Sequence, residues 1–221
     1  MDEISYKTSL RKNYWFICPY LILFLILVIL HLCYSKPEIH LFINKYNSAF
    51  LDDFFKWITV FGNGFFTMGI VCVFLFFHFR KSVTIFSAFV ISGIIVQGLK
   101  TTIFSDTLRP SGYFEGKATL HYVEGVYQLY IQSFPSGHSA SAFALFFCLA
   151  AFTKHKSVKF LLLVIASLTA FSRVYLSQHF LNDAMAGSLI GVIVTSLMVY
   201  FIYERKPYAF LDNSIIPNQV K

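Results

Sequence analysis

Charge is what this sequence has little of. Of 221 residues, 18 are Lys or Arg and 11 are Asp or Glu, only 13% together against 57% hydrophobic residues, and residues 13–35 ("NYWFICPYLILFLILVILHLCYS") contain none. With a mean hydropathy of +0.64 and 27 phenylalanines, the chain has more apolar surface than a water-soluble domain of this length can enclose, so it belongs in a bilayer. There is no Pro/Gly/Ser-rich linker, internal repeat or low-complexity block, which leaves a single domain over residues 1–221. The four cysteines (Cys18, Cys33, Cys72 and Cys148) sit inside apolar runs with no CxxC or Cys/His pairing, and read as small buried hydrophobes, not redox or zinc ligands. A signal-peptide cleavage site is missing too. Lys7, Arg11 and Lys12 resemble an n-region, but the apolar run after them is too long and no A-x-A-like site follows, so a retained first helix is expected.

What is there is a series of apolar stretches. Six are long enough to be read as membrane spans: residues 13–35, 57–79, 82–99, 136–153, 157–175 and 184–203. In the second, Gly62 and Gly64 are expected to bend the first turns; the fifth reaches full length only if Lys159 snorkels to one surface and Arg173 marks the other. Residues 36–57 mix apolar and charged residues at helical spacing and predict a short interfacial helix. Residues 101–135 are polar and turn-rich, which suits an ordered functional loop. The expected fold is all-α, a polytopic bundle of six transmembrane helices with that interfacial helix and an extracytoplasmic loop.

An even number of spans puts both termini on one side. Lys7, Arg11, Lys12, Arg80, Lys81, Lys154, Lys156, Lys159, Arg205 and Lys206 all fall there, so the positive-inside rule makes it cytoplasmic and accounts for the net charge of +7 without a nucleic-acid partner. Lys100, Arg109, His138, Arg173, His179 and Asp183 then arrive from three segments at the opposite face.

His179 and Asp183 are four apart, a spacing that lets a carboxylate reach an imidazole on one helix face and fix its tautomer. A polar cap on a helix entering the membrane explains the pair equally well, and the neighbours decide. "PSGH", residues 135–138, places Ser136 as a helix N-cap, with unpaired amides behind it that suit phosphate and with Gly137 allowing close approach; His138 in the first turn can exchange a proton there. Ser139 and Ser141 read as small helix-contact residues. Arg173, Arg109 and Lys100 form a cationic group without carboxylate partners of its own, which calls for an anion with several oxygens. A rival reading, a metal held by His138, His179 and Asp183, is opposed by those three cations. His31, His40, His78, His121 and His155 match no partner at useful spacing and read as interfacial or loop residues. Asp52, Asp53, Glu115 and Glu124 read as solvated loop charge.

Together, "PSGH" and "SRVYLSQHFLND" (residues 172–183) resemble the type 2 phosphatidic acid phosphatase superfamily of integral membrane lipid-phosphate phosphatases, whose pattern is Lys, then Arg-Pro, then Pro-Ser-Gly-His, then Ser-Arg, five residues, His, three residues, Asp. The first motif departs from it, because "KTTIFSDTLRP" puts eight residues between Lys100 and Arg109 where six are usual. The resemblance implies that His179 attacks phosphorus and becomes a phosphohistidine, that Asp183 orients it, and that His138 protonates the leaving oxygen and then helps activate water. Lys100, Arg109, Arg173, Ser136 and the Gly137 amide would hold the phosphoryl oxygens, with no metal and no cofactor. It implies a phosphorylated lipid substrate and no obligatory protein partner. A short chain with minimal loops favours envelope lipids: lipid A phosphate first, then undecaprenyl diphosphate or phosphatidylglycerol phosphate, with phosphatidate also within the family. The expected location is a bacterial inner membrane with a periplasmic active site, and the expected phenotype resistance to cationic antimicrobial peptides. A lipid flippase or transporter, binding without cleavage, is the non-enzyme alternative.

Overall fold

In the computed structural model, which describes residues 5–205 and 208–212, every regular element is helical. Lys206, one of the charges expected at the cytoplasmic end, lies outside the described residues. The helices are α1 (Tyr6–Lys12), α2 (Tyr14–Cys33), α3 (Lys36–Lys45), α4 (Ala49–Ile58), α5 (Gly64–Phe77), α6 (Phe79–Thr102), α7 (Pro110–Phe114), α8 (Gly137–Phe152), α9 (Lys156–Tyr175) and α10 (Leu181–Met198). A 3-10 turn at Thr59–Gly62 joins α4 to α5, a π turn at Val199–Glu204 prolongs α10, and Ala209–Asp212 forms a last 3-10 turn.

Four helices are long and apolar enough to cross a membrane: α2, α6, α9 and α10 with its π extension. A fifth crossing is available if α4 and α5, bent by 52° at Asn63, are counted as one broken span. The bend falls where Gly62 and Gly64 stand, and Asn63 caps α5 by accepting a hydrogen bond from the Phe65 amide at 3.0 Å. The helix α8 has 16 residues, about 24 Å at 1.5 Å per residue, which falls short of hydrocarbon thickness. The one helix expected over residues 36–57 is two, because the chain breaks after Lys45 and restarts at the Ser48 cap, whose hydroxyl accepts from the Leu51 amide.

Short as it is, α8 is the centre of the bundle, packed against α6, α9 and α10. Its alanines and serines let neighbouring backbones approach, and α10 meets them with glycines spaced four apart. A methyl group at Gly187 would collide with the Ser136 carbonyl, and one at Gly191 would stand 2.6 Å from the Ala140 carbonyl. This is the small-residue contact by which membrane helices gain packing area. The outer helix α2 docks through Phe16, stacked on Phe147 at 4.7 Å between ring centres, and through Tyr20, whose hydroxyl is 3.1 Å from Ser188 Oγ. Its other face leaves Leu21, Leu25, Ile26 and Ile29 exposed, as a lipid-facing surface requires.

Basic residues gather at one end of the bundle around a cavity of about 640 Å³ that includes Lys12, Arg80, Lys81, Lys154 and Lys159. One of these differs from expectation, and a second is held more tightly than its place at a helix end requires. Lys159 does not snorkel into water; it is buried and donates to Asn13 Oδ1 at 2.8 Å. Arg80, also buried, donates to Asp212 Oδ1 at 2.7 Å and to the carbonyls of Ile202 and Tyr208. The cysteines differ as well: only Cys148 is buried, whereas Cys33 and Cys72 are exposed on helix surfaces, because an apolar residue of a membrane helix can face lipid as readily as the core.

Candidate active site

At the other end of the bundle the three motif segments meet. The nucleophile candidate His179 does not stand on a helix. It lies in the turn between α9 and α10, and Asp183 occupies the first turn of α10. Asp183 Oδ2 accepts from the Phe180 amide at 2.9 Å, so it caps the helix start while its position is fixed. The same oxygen accepts from Ser133 Oγ and lies 3.7 Å from His179 Nδ1. That last separation is longer than a hydrogen bond but close enough for charge to orient the ring. The turn closes because the Arg173 carbonyl accepts from the amides of both Gln178 and His179, at 2.9 and 3.1 Å.

The two ring nitrogens of His179 thus face different neighbours: Nδ1 turns to Asp183, and Nε2 to Arg109 NH1 at 3.5 Å. His179 and Asp183 are each only 2% exposed. Burial pushes the His179 pKa down to about 3 while the Asp183 carboxylate opposes the shift, so the imidazole is neutral and keeps a lone pair for attack at neutral pH.

The long Lys100–Arg109 interval is resolved by the loop. Lys100 sits in the last turn of α6 and Arg109 just before α7; Lys100 Nζ donates to the Gln132 carbonyl at 3.0 Å and Arg109 NH2 to the same oxygen at 3.4 Å. Arg109 also donates to the carbonyls of Ile131 at 2.8 Å and Gln178 at 2.9 Å. Cations that would otherwise repel are therefore held side by side on a shared acceptor.

Arg173 ends α9 and donates through NH1 to Thr59 Oγ1 at 2.8 Å, while its Nε is buried without an acceptor. Ser136 caps α8: its hydroxyl accepts from Ser139 Oγ at 2.9 Å and from the Ser139 amide at 3.4 Å, and its own amide donates to the Asp183 carbonyl at 2.9 Å. Gly137 and His138 follow in the first turn, whose amides have no preceding turn to bond. His138 lies within electrostatic reach of Arg173, His179, Lys100 and Arg109. Gly62 presses against it, with no room for a side chain below the His138 carbonyl and Cβ. All eight candidate residues therefore meet at one end. His138, Gly137 and Arg173 are partly exposed, and Lys100, Arg109, Ser136, His179 and Asp183 are buried behind them.

Other residues of this end gave no signal in the sequence. Thr59 serves the site from a segment far along the chain, and the Gln132 carbonyl and Ser133 serve it from the stretch just before Pro135. His40, expected at an interface or in a loop, is 1% exposed and shares a hydrogen bond of 3.2 Å with Ser177 Oγ. His121, expected to lack a partner, lies 2.9 Å from Asp52 Oδ2, and Asp52 also accepts from the Tyr175 hydroxyl at 2.6 Å, so Asp52 is a tie between α4, the loop and α9, not solvated loop charge.

The likeness to known proteins converges on this region. Two solved structures share the fold: the LpxE of Aquifex aeolicus, with a TM-score of 0.64 and 27% identity over 74% of this chain and 94% of that one, and a transmembrane PAP2-type phosphatidylglycerolphosphate phosphatase from Bacillus subtilis, with a TM-score of 0.65 and 24% identity over 87% and 98%. Among curated proteins, a lipid A 4'-phosphatase of Porphyromonas gingivalis is 28% identical over 189 residues, 79% of this chain and 74% of its own. Phosphatidylglycerophosphatase B of Bacillus subtilis is 37% identical over 85 residues, 34% of this chain, and the match spans 42% of that relative's length. The profile of the PAP2 superfamily matches residues 81–207, from the start of α6 past the end of α10 and across all three motifs, and the chain belongs to that superfamily.

Proposed function

We propose that the protein is a metal-independent phosphatase that removes phosphate from a membrane lipid at the extracytoplasmic face through a phosphohistidine on His179. The observation that carries this is the orientation of His179, with Nε2 toward the cations and Nδ1 toward Asp183. Nε2 attacks phosphorus as the bond to the lipid oxygen breaks, and His138, which takes up a proton when the phosphate dianion binds beside it, gives that proton to the oxygen. His138, now neutral, takes a proton from water, whose oxygen attacks the phosphohistidine; inorganic phosphate leaves and His179 is restored. Lys100, Arg109 and Arg173 stabilise the charge on the phosphoryl oxygens, together with the Ser136-capped amides of α8. Arg173 Nε has no protein acceptor, and a phosphoryl oxygen would supply one. Three cations do here what a metal ion does elsewhere.

The site's distance from the basic end supports a six-span arrangement in which α8 and the bent α4–α5 pair complete the crossings, α3 lies at the interface, both termini are cytoplasmic, and the site opens to the periplasmic side of a bacterial inner membrane. For the substrate we favour lipid A, because the lipid A 4'-phosphatase relative aligns over 79% of this chain. Phosphatidylglycerol phosphate is the second reading, supported by the higher identity of the shorter Bacillus match.

Purified protein assayed for phosphate release with EDTA present, across lipid A, phosphatidylglycerol phosphate, undecaprenyl diphosphate and phosphatidate, tests both levels. Release unaffected by EDTA and abolished in His179→Ala is expected. Lipid movement without phosphate release would favour a flippase, and preference for another lipid would replace lipid A while leaving the chemistry intact. If lipid A is the substrate, deleting the gene sensitises cells to polymyxin-like peptides, since loss of a phosphate weakens their attraction.

A further inference from the structure

The turn that carries His179 is built on a residue in an unfavourable conformation. Ser177 has φ +55°, in the left-handed region that residues with a Cβ rarely adopt. Its side chain is fully buried, and its hydroxyl is gripped from one helix, α3: it shares the 3.2 Å hydrogen bond with His40 Nε2 and accepts from Asn44 Nδ2 at 3.4 Å. The His40 ring is itself wedged against Phe114 and Phe180, with ring centres 5.8 and 5.4 Å away, so the side chain that reaches Ser177 has one place to be. Asn44 does more. Its carboxamide pairs with the His121 backbone in both directions, donating to the carbonyl at 2.9 Å and accepting from the amide at 2.8 Å. The same helix thereby holds the turn of the nucleophile and the loop that brings Arg109.

None of these groups faces the reacting atoms. Ser177 is nevertheless two residues from His179, inside the turn closed on the Arg173 carbonyl. Relaxation of its φ toward the right-handed region would redirect the turn while the tight α8–α10 contact kept the bundle intact. We propose that His40 and Asn44 are positioning residues for the phosphoryl-transfer step, holding Ser177 in its left-handed conformation so that His179 keeps Nε2 toward Arg109 and Nδ1 toward Asp183. The inference rests on His179 being the nucleophile.

The test uses the full chain purified in detergent, with Ser177→Ala, Ser177→Gly, His40→Ala, Asn44→Ala and the double variant His40→Ala/Ser177→Ala. The readouts are kcat and KM, the rate of phosphohistidine formation from a radiolabelled phospholipid, and Tm. Misplacing a reacting group by about 1 Å can cost up to about a hundredfold, so kcat is expected to fall about tenfold in Ser177→Ala and His40→Ala, with KM within about twofold and phosphohistidine formation slowed in step. The double variant should be no slower than the slower single, because both remove the same hydrogen bond. Ser177→Gly, free to adopt positive φ, should retain more activity than Ser177→Ala, and Asn44→Ala should lower kcat as well. Ser177→Ala removes a single oxygen, so it reports even if the His40 variant fails to fold. Wild-type kcat in Ser177→Ala, multiplying losses in the double variant, no advantage of glycine over alanine, or a fall in kcat that only tracks the folded fraction would each overturn the proposal. His179→Ala separates the two levels: if it still releases phosphate, the nucleophile assignment fails; if it is inactive while Ser177→Ala and His40→Ala are fully active, the positioning role alone fails.

Discussion

As the proposed nucleophile, His179 has to be both buried and reactive, and the arrangement of its two nitrogens suits that role. Burial keeps the ring neutral, Asp183 sets its direction, and the carboxylate is itself fixed by the Phe180 amide and Ser133. Replacing His138 by Ala is expected to lower kcat by about 10²–10⁴, the usual range for a lost general acid or base, with KM little changed; steady-state phosphate release measures it. Buried neutral histidines also make stability depend on pH. Burial lowers the His40 pKa to about 4, with the Asp183 charge opposing, and that of His179 to about 3; both titrate near 6.5 when unfolded. Between those values the unfolded chain binds protons that the folded chain does not, so stability is full above about pH 6.5 and is lost as pH falls toward the folded values. Apparent Tm in detergent should therefore drop between pH 7 and pH 5, and His40→Gln, which removes one of these groups, should make the drop shallower. An unchanged slope would count against a neutral buried His40.

Among the elements, α8 shows how packing overrides length. Its 16 residues are too few to cross hydrocarbon unaided, yet its small side chains let α10 approach until Gly187 touches the Ser136 backbone. That contact sets the Ser136-capped start of α8 against the first turn of α10, which carries Asp183. Gly187→Val should force these ends apart, destabilise the protein by about 1–3 kcal/mol as overpacking does, and reduce activity more than a valine at the lipid-facing Ile193; Tm and phosphate release check it. The stretch of residues 101–135 was legible as a polar, turn-rich loop, but not how it spans eight residues between Lys100 and Arg109. A turn after α6 and the shared Gln132 carbonyl answer that, and neither has a sequence signature.

Over the whole molecule, basic residues gather at one end and the candidate site at the other, with exposed apolar residues such as Leu25 and Ile94 along the helices between them. In the proposed function the basic end and the site end carry cations for different reasons: topology at one, phosphate at the other. The proposed orientation predicts that, in a background with native cysteines replaced, a cysteine at the exposed Lys117 reacts with a membrane-impermeant thiol reagent added outside intact cells. One at Lys154 should react only after permeabilisation. The reverse pattern would invert the orientation and place the site in the cytoplasm.

The sequence alone determined the membrane setting, the all-helical class, most of the apolar helices and the helix cap at Ser136, and it singled out the candidate residues of the site, because hydropathy, capping and motif spacing are properties of a short stretch of chain. Tertiary structure decided that Lys159 and His40 are buried, that His121 meets Asp52 across 69 residues and His40 meets Ser177 across 137. It also decided that Lys100 and Arg109 share one carbonyl and which nitrogen of His179 faces the cations. Those contacts join segments that only packing brings together, so their hydrogen bonds and burial have no local pattern from which they could be read.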